Sequence, residues 1–262
     1  LQLRADVVGE PGRLQIAGGA EGEGWNRRGS VQSLHLVPTM GPDWTLRAPA
    51  DYRWQNGALS LSPACLRAGQ PGGEICAQAD GNRARFDGER LPLALLQPWL
   101  DRNQAGFMPF GELSLQGEFA RTGGAWGGRA TVRSGVGGLR IDPRSPREIA
   151  AYRDLALDAE LRGGEANLSL SAALAQEGRL RGRLRTGLAS DSALSGELDL
   201  DMRDISWLEL FSIDLASPTG RLSGQLQFGG RRDAPVLSGE ARLANFAGEL
   251  PALGVTMKQG EF

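Results

Sequence analysis

The chain has one histidine, two cysteines and a single lysine, Lys258, among its 29 basic residues, and aromatic side chains make up only 6 % of its 262 residues. Each shortage excludes a class of chemistry. His35 is the only imidazole; it sits in Ser33-Leu34-His35-Leu36, pointing away from the two leucines, and nothing near it resembles a nucleophile motif. Two cysteines and one histidine fall short of a tetrahedral zinc set. No glycine-rich loop followed by Lys and Ser or Thr is present, and Gly135-Val136-Gly137-Gly138 departs from the dinucleotide fingerprint at its last glycine. Asp199 and Asp201 alternate along one strand face, where carboxylates are ordinary solvated groups rather than an acid–base pair. The sequence therefore predicts no catalytic residues, no metal ligands and no cofactor: not an enzyme.

Long runs of one kind are missing as well. The 29 basic and 31 acidic residues are interspersed, with no basic stretch able to follow a phosphate backbone, which argues against nucleic acid as a partner. The longest apolar run, Leu91 to Leu100, is about 10 residues and is interrupted by Gln97 and Pro98, against the roughly 20 that span a bilayer. No basic segment followed by an apolar stretch opens the chain, so it reads as a piece of a longer protein.

What is abundant is glycine, 38 residues, with leucine and alanine, and these alternate with polar residues in runs of six to nine. That is the period of half-buried strands. The clearest runs are 112–116, 155–161, 167–171, 180–184, 198–202 and 221–228, each with Leu, Ala, Gly or Phe on one face and Arg, Asp, Glu, Ser or Gln on the other. Two segments break the period: Leu91 to Asp101, with Leu93, Leu96 and Leu100 on one side of a short helix, and Asp204 to Phe211, where Asp204 caps a helix bearing Ile205, Leu208 and Phe211. Ser145-Pro146-Arg147-Glu148 has capping-box spacing for a third turn. The text after the first two helices is similar at a spacing of about 110 residues, which suggests one continuous segment, 1–262, with repeat units of about 1–110 and 111–262. Cys65 and Cys76 flank a Gly-Gln-Pro-Gly-Gly hairpin tip and are placed for a disulfide across neighbouring strands, which favours an oxidising compartment.

A closed sandwich needs bulky inward side chains to fill about 10 Å between its layers. The inward set here is rich in Gly, Ala and Leu. The expected fold is all-β: an elongated, curled, mainly antiparallel sheet forming an open groove, with a few short helices. Roughly 14 to 18 strands at about 4.8 Å would give a trough about 65 to 85 Å long. The candidate groove-lining residues are Leu113, Leu115, Leu157, Leu161, Leu168, Leu170, Leu198, Leu200, Leu222 and Leu226; a filled core is the alternative use of the same pattern.

Several stretches resemble the TamB family, the inner-membrane subunit of the translocation and assembly module, within the wider AsmA-like group. They are Cys65-Leu-Arg with Glu74-Ile-Cys76, the helix after Leu91-Pro-Leu93 ending before Gly111, Ser217-Pro-Thr-Gly-Arg-Leu222, Pro235-Val-Leu-Ser-Gly239 and Leu250-Pro-Ala-Leu-Gly-Val255. The resemblance runs from about Trp25 onward. It implies a periplasmic β-groove (a β-taco) that belongs to a protein anchored in the inner membrane of a Gram-negative bacterium, with this chain a middle piece. It implies phospholipid acyl chains as the cargo and an outer-membrane barrel of the TamA type as partner, met through regions not present here. The competing function is a chaperone-like scaffold in the assembly of outer-membrane proteins, offering strand edges or the apolar face to unfolded strands.

Overall fold

The structure is a computed structural model and describes residues 2–10, 12–24, 26–39, 41–69, 72–97, 108–140, 148–206, 208 and 215–260. Of the described residues 80 % are strand, in seventeen strands whose described ladders are antiparallel, and the all-β expectation holds. The chain divides into two compact units, Leu1–Val132 and Arg133–Phe262.

The first unit holds β1 (Gln2–Gly9), β2 (Gly12–Glu23), β3 (Asn26–Pro38), β4 (Trp44–Leu46), β5 (Ala50–Gln55), β6 (Ala58–Ala68), β7 (Glu74–Asp80), β8 (Arg83–Pro92), β9 (Met108–Thr122) and the start of β10 (Ala125–Arg140). β4 and β5 act as one broken strand, since each pairs with β3 on one side and β6 on the other. The second unit continues with β11 (Ile149–Arg162), β12 (Glu165–Leu174), β13 (Gly178–Gly187), β14 (Leu194–Met202), β15 (Ala216–Arg231), β16 (Ala234–Leu250) and β17 (Val255–Gly260). From β11 to β17 each strand pairs antiparallel with the next in sequence.

Strands of up to 17 residues exceed the runs visible in the sequence because β-bulges repair slips in the alternation. The apolar positions Val31 and Leu34, Leu61 and Ala64, and Gly88 and Leu91 are three apart, a spacing that would put one of each pair on the wrong face. Register shifts at these points return both to the same face. Several bulges hold a non-glycine residue at positive φ, among them Arg90 (52°) and Asp154 (54°).

Burial is sparse. Among the described residues nine apolar side chains are buried, and Ile205, 1 % exposed, is the one large side chain sealed completely. Among the described residues of each unit, every extensive strand–strand contact is with a ladder neighbour, so within a unit no second layer of strands faces the first.

The cores that do form lie where a helical turn folds over strand ends. In the first unit Trp44, Ala68 and Leu91 cluster with Leu36, Leu66, Ile75, Leu95, Leu113 and Leu115. Leu95 belongs to a 3-10 turn, Leu93–Leu96. This helical segment starts later than the sequence suggests, because Leu91 and Pro92 still pair with Leu113 and Glu112 in the ladder. The Leu96 side chain and residues 98–101 lie outside the described residues. In the second unit the Asp204 carboxylate accepts the Ser206 amide at 3.0 Å, and the Leu208 amide donates to the Ile205 carbonyl at 2.9 Å, so the cap is where it was expected. Phe211 and Ser145 to Arg147 are outside the described residues; Glu148 is not helical.

Candidate functional site

Register pairing assigns each side chain to a face, because partners across an antiparallel ladder point the same way. In the second unit one such row runs Leu157, Leu170, Gly182, Leu198, Leu226 and Gly239 across β11 to β16. The next row toward the β11–β12 turn is Ala159, Leu168, Leu184, Gly196, Phe228 and Leu237. On the other side Ala172, Leu180, Leu200, Gly224 and Ala241 line up, followed by Leu174, Gly178, Met202, Leu222 and Leu243. None of these positions carries a charge. Six strands about 4.8 Å apart and four rows about 7 Å apart make an aliphatic face of roughly 800 Å².

All eight candidate leucines of this unit, 157, 161, 168, 170, 198, 200, 222 and 226, share that face and are half-buried. Leu180, Leu184, Leu194 and Phe228 belong with them and carry the same alternating signal, which the candidate set left out. Leu113 and Leu115, in the first unit, are also half-buried but pack against the Trp44, Ala68 and Leu91 cluster. They lie on that unit's apolar face, with Leu14, Ile16, Leu34, Leu36, Leu66, Ile75 and Phe86.

Glycine sets the relief of the face. A Cβ on Gly182 would sit 2.9 Å from Leu198 Cδ1, and one on Gly196 would sit 2.8 Å from Leu184 Cδ1, so leucines lie over glycines of the next strand. Gly117 takes the Phe86 ring in the same way, with a ring carbon 2.2 Å from where its Cβ would be. The surface is thus low and smooth, suited to a flexible hydrocarbon.

The opposite face is polar. On β13 it presents Arg179, Arg181, Arg183 and Arg185, opposed on β14 by Asp201, Asp199, Glu197 and Ser195. Asp199 is exposed, as expected, but Asp201 corrects the solvated reading: it is 7 % exposed and accepts two bonds from Arg221, at 2.7 and 2.8 Å. The Arg221 bonds hold its carboxyl below the usual range, helped by Arg203 and Arg179. The alternation placed Asp201 on the right face but could not show that β15 brings Arg221 over it. His35 is on the polar face of the first unit, opposite Gln15 and Thr45, with Nε2 3.3 Å from Asp43.

Cys65 and Cys76 are direct cross-strand partners on that polar face, Cα–Cα 4.1 Å, with their sulfurs bonded. Among the described residues one group could hold a metal ion, Cys65, Glu74 and Cys76, and the disulfide occupies both of its sulfurs. Glu74 is engaged by Arg47 and Arg67, each at 3.4 Å.

In the second unit a charge-free aliphatic face backed by an ion-paired one defines an amphipathic β-sheet protein. Residues 1–243 match the family described as TamB, N-terminal domain, and the chain belongs to that family. The family is a transport and assembly module rather than a known enzyme family, with a general role in outer-membrane assembly and lipid transport. Its members are anchored in the inner membrane and extend into the periplasm. No described helix of this chain is long and apolar enough to cross a membrane. No solved structure matches the chain.

Proposed function

We propose that this segment works in the periplasm, binds phospholipid acyl chains on its aliphatic face and passes them between the inner and outer membranes. The observation that supports the reading is the run of charge-free rows across β11 to β16, over which the described residues of the same unit place no second layer of strands. Soluble monomers rarely expose a contiguous apolar patch above a few hundred Å². At about 25 cal/mol per Å², covering even 200 Å² of it with hydrocarbon is worth about 5 kcal/mol. Docking on a TamA-type outer-membrane barrel completes the proposal.

The test is lipid extraction from protein purified out of the periplasm, followed by mass spectrometry, with photo-crosslinking from a diazirine placed in the acyl chain. Crosslinks at Leu168, Leu198 or Leu226 are the expected result. Protein free of lipid, with crosslinks instead to unfolded outer-membrane strands at the same leucines, would replace the conduit with the scaffold function.

A further inference from the structure

Across β2, β3, β5 and β6 the aliphatic face of the first unit contains one charge. Along β2 the residues on that face are Leu14, Ile16, Gly18, Ala20 and Gly22, and along β3 they are Leu36, Leu34, Val31, Gly29 and Arg27. β5 adds Ala50, Tyr52 and Trp54, and β6 adds Leu61 and Leu59. Arg27 is therefore a guanidinium at the border of an otherwise apolar surface, in the row nearest the hairpin turns, directly opposite Trp54.

Three features separate this corner from ordinary solvated arginine. First, no carboxylate shares the face in these four strands, and among the described residues no ion pair involves Arg27; the neighbouring Arg28, by contrast, points to the other face and meets Glu21 at 3.2 Å. Second, Arg27 Nε donates to the Gly24 carbonyl at 3.0 Å, which fixes the side chain while leaving the terminal amino groups to form a fork. Third, Trp54 and its cross-strand partner Leu59 are 36 % and 37 % exposed, large apolar side chains kept at the border. One row inward, the Tyr52 hydroxyl reaches across Gly29, 2.9 Å from where a Cβ there would be. A fork of guanidinium donors beside an indole and a phenol is the chemistry that meets a lipid where hydrocarbon gives way to phosphate.

We propose that Arg27 and Trp54, with the Tyr52 hydroxyl behind them, hold the phosphodiester of a phospholipid whose acyl chains lie on the aliphatic face of the first unit. This rests on the acyl-chain reading above and adds recognition of the headgroup to it. The occupant is a phospholipid rather than free phosphate because the guanidinium sits at the edge of the apolar face, not within the polar one.

The test compares two pyrene-labelled probes of identical acyl chains, phosphatidylglycerol and diacylglycerol, binding to the whole chain. Arg27→Gln and Trp54→Ala are expected to weaken phosphatidylglycerol binding about tenfold, the effect of one charge-assisted contact. Diacylglycerol binding should change less than about twofold on this account, since it lacks the phosphate. Arg27→Lys, which keeps the charge but loses the fork, should bind phosphatidylglycerol more tightly than Arg27→Gln and less tightly than the wild type. Equal losses for both probes, or none for either, would overturn the headgroup assignment while leaving acyl binding standing. Wild-type protein that binds neither probe would overturn the acyl reading and this inference with it.

Discussion

Placing a charge on the aliphatic face separates an open surface from a sealed core. Leu168, Leu200 and Leu226 are half-buried, flanked by Leu184, by Leu180 and Gly224, and by Leu198 and Gly239. Burying a leucine fully is worth about 1.5–3 kcal/mol, so a half-buried one contributes about 1 kcal/mol. In Leu→Arg variants the aliphatic stem of arginine recovers part of that contact while its head group reaches water, and the expected loss is about 1 kcal/mol. Beneath a facing layer the same guanidinium would be stranded, at a cost of several kcal/mol. Urea denaturation of each purified variant reads this difference directly, and acyl-chain photo-crosslinking on the same samples reads occupancy. Small stability losses with sharply reduced crosslinking are expected at all three sites. Losses of several kcal/mol at all three would refute the open face, and stable variants with undiminished crosslinking would refute its use by lipid.

Replacing both Cys65 and Cys76 by serine should lower stability by about 3 kcal/mol, as expected for closing a loop of this length, and thiol labelling of denatured, unreduced protein should find neither sulfur free. Asp201→Asn should cost about 1–2 kcal/mol at neutral pH, read by denaturation. Its folded pKa is depressed, so the wild-type contribution is present above the unfolded value near 3.8 and is lost as pH falls through the folded one. The variant should therefore show a smaller loss of stability on acidification below about pH 4 than the wild type. Gly117→Ala forces the Phe86 ring to move and should cost about 1–3 kcal/mol, whereas alanine at Gly135, which has open space around it, should leave packing unchanged.

Alternation made the strands and the shared face of the eight leucines in the second unit legible, because a period of two is a local property of the chain. Asp204 was legible as a cap for the same reason, since its bond reaches only two residues ahead. What depends on a partner distant in sequence was not: the Asp201–Arg221 contact joins residues 20 apart on different strands, and Leu113 and Leu115 pack against a Trp44 cluster assembled from five strands and a turn. The start of the first helical turn was misjudged because Leu91, counted with the helical segment, is claimed by Leu113 across the ladder.

The same contrast explains how one sheet stays amphipathic over so many strands. Every slip of one residue in the alternation would turn the rest of a strand inside out and put leucines among the arginines. Bulges absorb the slips at Val31, Ala64 and Leu91 in the first unit and at Ala156 in the second, and at Arg90 and Asp154 they do so by holding side-chain-bearing residues at positive φ. Such a conformation costs about 1–2 kcal/mol per residue. A protein whose core was a filled sandwich could offset that through dense packing, yet here one large side chain among the described residues is fully sealed. Keeping the phase at that cost means that, within each unit, the separation of an apolar face from a polar one is itself what the backbone geometry maintains.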